Sequence, residues 1–226
     1  VQSTLGVAEI HSVPSDILAR LLVHLCADLP PAGVKIGMLG SPEIVEIVAT
    51  FVKQGIGQDS PNIPIVLDPI LRSSSGHNLL DPAALNTLHQ RLLPVVNWIT
   101  PNWSELSTLA DLAVTTLFEA EAATHALAAR HPGLHIVVTA GDQSHPTDLL
   151  RLTSGEIHRF AGEHIDTTST HGTGCAFSSA ILSRLVMGDT PVAAVHAAKR
   201  YVAEALRRAP GLGHGRGPLN LLWPLS

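Results

Sequence analysis

The segment Asp166-Thr-Thr-Ser-Thr-His171-Gly172-Thr-Gly174-Cys175, followed at once by Ala176-Phe-Ser-Ser-Ala-Ile-Leu182, holds the residue types best suited to chemistry in this chain. Its glycines let the backbone approach an anion closely. The apolar run behind them predicts a helix whose first N–H groups and dipole face that anion. Cys175, in the first turn, is expected to have a lowered pKa, because the same field favours thiolate. An anion cradle beside a base suits phosphoryl transfer. Taken alone, the same residues also fit a glycine-rich loop before a helix whose cysteine is simply buried.

Other candidates follow apolar runs. Asp68 comes directly after Ile63-Pro-Ile-Val-Leu67 and either positions a magnesium ion or its waters, or forms the turn before Pro69. Asn102 and Glu105 straddle a helix start, where they either hold Mg²⁺ through water or close a capping box. Asp166 is placed to cap or orient the glycine loop, and His171 to donate to a phosphate. The Gln2 amide is able to hydrogen-bond a heterocycle.

Alternating segments would carry these residues. Ser15 to Asp28 has apolar residues at helical spacing, with Ser15 as the expected N-cap. Val34–Leu39 and Ile63–Leu67 read as buried strands, separated by a helix from Ser41-Pro42 to about Gln54. A helix from Pro82 to Leu93 and a strand from Val95 to Thr100 follow, then helices over Trp103–Ala110 and Leu117–Arg130. His135–Thr139 reads as the fourth strand, ending at Ala140-Gly141-Asp142. Leu149–Leu152 and Glu156–Ala161 flank Ser154-Gly155 as a hairpin. Helices over Gly174–Met187 and Pro191–Arg208, a glycine-rich tail and a short cap over Pro218–Trp223 complete the chain. This order predicts an α/β sandwich around a mainly parallel sheet, with ligands beyond the carboxyl ends of the strands.

The 226 residues suffice for one domain spanning 1–226. A 45% apolar and 15% charged composition describes a compact protein, and the net charge of −5 makes nucleic acid an unexpected partner. Thirteen histidines are scattered without metal-ligand spacing. Two cysteines, Cys26 and Cys175, argue against a disulfide framework. No apolar run reaches the length of a membrane span and no signal-peptide pattern precedes the first helix, so a cytoplasmic protein is expected. The first residue is Val1, which predicts an alternative start codon or a fragment.

Five stretches carry a family resemblance: Val34-Lys-Ile-Gly-Met-Leu-Gly-Ser41, Val66-Leu-Asp-Pro69, Ile99-Thr-Pro-Asn102-x-x-Glu105, Thr170-His-Gly-Thr-Gly-Cys175 and Gly213-His-Gly-x-Gly-Pro-Leu-Asn220. Together, in order, they resemble the hydroxymethylpyrimidine/phosphomethylpyrimidine kinases of thiamine biosynthesis. These belong to the ribokinase-like superfamily of three-layer α/β/α folds. The resemblance implies phosphorylation of 4-amino-5-hydroxymethyl-2-methylpyrimidine and its monophosphate with Mg²⁺ and ATP, in a homodimer. It implies Cys175 as base; Gly172, Thr173 and Gly174 as the anion hole; and Gln2 and Met38 at the pyrimidine. Asp68, Asn102 and Glu105 would organise Mg²⁺ and the phosphates, while Thr139, Gly141 and Thr168 would line the nucleotide side. Family members often have lysine at the places of Thr139 and Thr168.

The family also begins with a strand, a glycine-rich loop and a helix ahead of its glutamine, roughly one βα unit with its next strand. The fold expected here is therefore N-terminally shortened. Two alternatives stay open: a non-catalytic pyrimidine- or nucleotide-binding remnant, and a pyridoxal-type kinase.

Overall fold

Side chains alternate along every long strand of this protein, and the alternation sorts them into two separate apolar layers. The computed structural model describes residues 1–54, 56, 63–71, 79–140 and 146–225. Strands β1 (Gln2–Ser3) and β2 (Gly6–Val7) form a small antiparallel hairpin turning at Thr4 and Leu5. Helix α1 (Ser15–Asp28) leads to β3 (Val34–Ile36), α2 (Pro42–Gln54) and β4 (Ile65–Leu67). A one-turn helix α3 (Ala84–Thr87), β5 (Trp98–Ile99), α4 (Trp103–Ala110), α5 (Leu117–Arg130) and β6 (His135–Val138) follow. The antiparallel strands β7 (Thr147–Arg151) and β8 (Ile157–Ala161) precede α6 (Thr173–Val186) and α7 (Pro191–Arg207).

Strands β3 to β8 lie in sequence order in one sheet, parallel from β3 to β6 and antiparallel from β6 to β8. Because each parallel connection steps the same way along the sheet, crossovers of one hand put their helices on one face. On that face Ile36, Leu67, Ile99 and Ile136 pack with Val45 of α2, Leu106 of α4 and Leu127 of α5. The intervening residues Val66, Trp98, Val137 and Leu150 point the other way, onto Phe177 and Ile181 of α6 and Val195 of α7. This is a three-layer α/β/α sandwich around a mainly parallel sheet.

Local chemistry sets the helix ends. Thr116 and Glu119 close a capping box on α5, and Thr190 caps α7 with Pro191 in its first turn. Several boundaries differ from expectation. Pro14, not Ser15, is the N-cap residue of α1, and no side chain caps that helix. The stretch expected as one helix from Pro82 to Leu93 is α3 running into a π-helical turn over Leu88–Leu92, closed by Leu93 N–H donating to the Leu88 carbonyl. Strands β3, β4 and β5 are two or three residues long, since their carboxyl ends leave the ladder to form the loops of the site. The hairpin begins at Thr147, earlier than its apolar core suggests. Helix α1 packs mainly on α2 and leaves Ile17, Leu21 and Leu25 exposed.

Candidate active site

The carboxyl ends of the parallel strands form one rim. Met38 follows β3, Asp68 follows β4, Asn102 follows β5 and Thr139 follows β6. Asn102 and Thr139 prolong the β5–β6 pairing by one parallel bridge, and the Thr139 N–H donates to the Pro101 carbonyl at 3.0 Å. Asp68 is fixed by its own N–H donating to the Ile36 carbonyl at 2.8 Å.

The N-terminus of α6 faces this rim. Gly172 is the N-cap residue at φ 83°, a left-handed conformation that favours glycine, and it starts the helix with its carbonyl accepting from Ala176 at 2.8 Å. The N–H groups of Thr173, Gly174 and Cys175 precede the first intrahelical donor and so have no partner along the helix. Among the described residues, a methyl group placed on Gly172 or Gly174 would meet no atom within 4 Å. Amides so placed are able to hold an anion, which makes this helix start the candidate cradle.

Cys175 corrects the sequence reading. Although Cys175 is exposed at the surface, its thiol is held above the usual value, not below it, by partial desolvation where it meets the rim, by the Asp68 charge and a hydrogen bond to that carboxylate, and by the Glu105 charge. Lys35 pulls in the opposite direction without prevailing. The helix dipole alone would favour thiolate; desolvation first, and then the Asp68 and Glu105 charges, act the other way.

Asp68 is nearly fully buried, at 4% exposure, and its Oδ2 accepts from Ser178 Oγ at 3.1 Å while lying 3.3 Å from Lys35 Nζ. Ser178 lies one turn beyond Cys175 on α6, so the helix brings the thiol and a donor to the same carboxylate. Asn102 and Glu105 do form a capping box on α4: Asn102 Oδ1 accepts from the Glu105 N–H and Glu105 Oε2 from the Asn102 N–H, both at 2.9 Å. Burial pushes the Glu105 carboxyl up to about 7 against the backbone bond from Asn102, with the Asp68 charge adding to the rise.

A sequence model described as phosphomethylpyrimidine kinase matches residues 1–220. This chain belongs to that family. It is 36% identical over 225 residues to the thiamine biosynthesis bifunctional protein ThiED of Geobacter sulfurreducens, covering 97% of this chain and 44% of that protein. It is 34% identical over 225 residues to the hydroxymethylpyrimidine/phosphomethylpyrimidine kinase of Haemophilus influenzae, covering 97% of this chain and 81% of that one. The chain thus spans less than half of the bifunctional relative and about four-fifths of the separate kinase.

Among solved structures, the phosphomethylpyrimidine kinase of Clostridium difficile superposes with a TM-score of 0.75 at 27% identity, over 91% of this chain and 82% of that chain. A pyridoxal kinase of Staphylococcus aureus in complex with ADP gives 0.82 at 24% identity, over 94% and 76%, a likeness of fold. The fold is ribokinase-like.

The remaining candidates of this phosphomethylpyrimidine kinase family member fall around the same rim. Gln2, exposed on β1, has its Nε2 3.4 Å from His171 Nε2, next to the cradle. Met38 is 48% exposed beside the strand end. Thr168 is exposed, and its carbonyl accepts from Thr170 at 3.0 Å and Gly217 at 3.1 Å. Asp166 is exposed in the loop ahead of the cradle. Gly141 lies outside the described residues.

Sequence reasoning missed Lys35 and Ser178. A lysine inside the apolar strand Val34-Lys-Ile36 was the available signal for the first, and the i, i+3 spacing from Cys175 for the second.

Proposed function

We propose that this chain transfers the terminal phosphoryl group of ATP to 4-amino-5-hydroxymethyl-2-methylpyrimidine, or to its monophosphate, as a step of thiamine biosynthesis, acting as one kinase domain over residues 1–226. The observation that carries the reading is the open α6 N-terminus with the Cys175 thiol and the Asp68 carboxylate beside it. Transfer of a phosphoryl group requires mainly positioning and charge stabilisation, which such a cradle supplies.

In this reading the Thr173, Gly174 and Cys175 N–H groups, opened by Gly172, hold the equatorial oxygens of the moving phosphoryl. Cys175 takes the proton of the attacking oxygen as the new O–P bond forms and the bond to ADP breaks. Gln2 and Met38 hold the pyrimidine ring, and Thr139, Gly141 and Thr168 line the nucleotide side.

The carboxylates of Asp68 and Glu105 offer the hard oxygen donors that Mg²⁺ prefers. Burial lifts the Glu105 carboxyl and the Asp68 charge adds to the rise, so a cation held between the two carboxylates would be favoured here. Asn102 Oδ1 and Glu105 Oε2 are engaged in the capping box, so these two would hold the ion through water. Mg²⁺ held there would supply positive charge to the phosphates and to the carboxylates beside Cys175. The reading includes a cytoplasmic homodimer, supported by two free thiols and by the exposed leucines of α1.

A second, less supported reading is a pyridoxal-type kinase, since the pyridoxal kinase of Bacillus subtilis superposes with a TM-score of 0.82 at 25% identity. ADP release with Mg-ATP and either ring compound separates them. Release that depends on the hydroxymethylpyrimidine is expected. Release with pyridoxal alone would favour the second reading, and ligand-induced thermal stabilisation without ADP would mean a binding remnant.

A further inference from the structure

The glycine-rich tail touches both halves of the site. After α7 the chain returns past β1–β2 and the cradle before Leu219 is buried and the Asn220 N–H donates to the Ala205 carbonyl at 3.1 Å. On one side the Arg216 N–H donates to the Thr4 carbonyl, at the turn of the hairpin that carries Gln2, at 2.8 Å. On the other side the Gly217 N–H donates to the Thr168 carbonyl at 3.1 Å, and the Gly217 carbonyl accepts from the His171 N–H at 3.0 Å. Pro218 then pairs with His171 in a parallel bridge.

All of these links are backbone to backbone, and there is no spare width between the two walls. A methyl group on Gly215 would overlap the Thr4 carbonyl. One on Gly217 would lie 2.6 Å from the Leu212 carbonyl oxygen and 2.9 Å from Ser169 Oγ. One on Gly213 would lie 2.5 Å from the Thr4 side chain. Every second residue is glycine because the segment is squeezed between the hairpin and the loop before α6.

We propose that Gly213–Gly217 is a positioning strap that sets the distance between Gln2 and the His171–Gly172 end of the anion cradle, and so the fit of the pyrimidine against the phosphoryl group. This inference rests on reading the site as a pyrimidine kinase. The strap is assigned a positioning role. It acts through Thr4 on the hairpin and through Thr168 and His171 on the cradle.

Gly215→Ala tests it. With the hairpin displaced, KM for the hydroxymethylpyrimidine rises about tenfold while KM for ATP stays within about twofold. In a Gln2→Ala background the same change adds little, because the contact it disturbs is already gone. Hydrogen exchange of the amides in residues 2–7 and 168–172 becomes faster in Gly215→Ala. Should that variant not fold, Gly213→Ala replaces it. Its obstacles are the Thr4 side chain and its own left-handed φ of 86°, so adding Thr4→Gly returns KM part of the way toward wild type.

An unchanged pyrimidine KM in folded Gly215→Ala, an equal rise for both substrates, or full additivity with Gln2→Ala would overturn the strap. If the wild type does not phosphorylate the pyrimidine at all, the function reading fails on its own. The exchange rates then decide the strap: faster exchange in both segments supports it, and unchanged exchange overturns it.

Discussion

Lys35 and Asp68 stand Nζ to Oδ2 at 3.3 Å on neighbouring parallel strand ends, with the lysine 22% and the aspartate 6% exposed at the side chain. The β3–β4 register pairs Lys35 with Val66, and Val66 faces α6. Asp68, two residues on, shares that face, so both charges point at the helix that carries Cys175. After desolvation, the Asp68 and Glu105 charges push the thiol up and this cation pulls it down.

Alkylation of Cys175 reads that balance. The wild-type thiol should react slowly with iodoacetamide near pH 8 and accelerate only as pH rises past the ordinary cysteine range. Asp68→Asn removes the nearer carboxylate and should speed the reaction at pH 8 by about tenfold. Lys35→Met should slow it by a similar factor. Mass-resolved labelling separates Cys175 from Cys26. Equal rates in all three proteins would contradict the arrangement.

Glu105 predicts a stability that depends on pH. Its folded value near 7 lies above its ordinary value of 4.5, so the group favours the folded state fully below about 4.5 and loses that contribution as pH rises through 7. The ionised carboxylate then costs on the order of 3 kcal/mol in the metal-free protein. Glu105→Gln keeps an oxygen for the Asn102 N–H and has no charge to bury. Its melting temperature should gain on wild type between pH 4.5 and 8, by roughly 5–10 °C at the upper end. A gap that stays constant with pH would refute this.

The acid limb has a different origin. His89 Nδ1 and His131 Nε2 lie 3.1 Å apart with stacked rings. Burial, with the Arg130 and His131 charges, pushes His89 down to about 4. The unfolded chain accepts a proton below its usual 6.5 that the folded chain refuses until about 4, so stability is lost as pH falls through this window. His89→Gln should flatten the loss by roughly 2–4 °C between pH 6.5 and 4.5, His89 being only half-buried. Parallel melting curves of the two proteins would contradict it.

Much of this architecture was legible in local pattern. Trp103–Ala110 and Leu117–Arg130 are helices over the residues expected from their spacing, because their capping boxes lie within the same few residues. Strand ends were read too long where Gly37 to Leu39 and Thr100 leave the ladder, since ladder pairing depends on a partner strand and not on local composition. The glycine-capped start of α6 at Gly172 is also local, hence visible in the sequence. The direction of the Cys175 shift is not, because Asp68 acts on the thiol from the end of β4 and Glu105 from the first turn of α4. Lys35 was hidden for the same reason: a lysine in a strand reveals its role only once Asp68 is seen beside it.

The central claim is that Cys175, on the α6 cradle, serves phosphoryl transfer to the pyrimidine. Its most direct test is pyrimidine-dependent ADP release from Mg-ATP by wild type and by Cys175→Ala, with melting curves showing both folded. The account predicts release by wild type and a loss of about 100-fold or more in the variant at unchanged melting temperature. Equal turnover by the folded Cys175→Ala protein would contradict it.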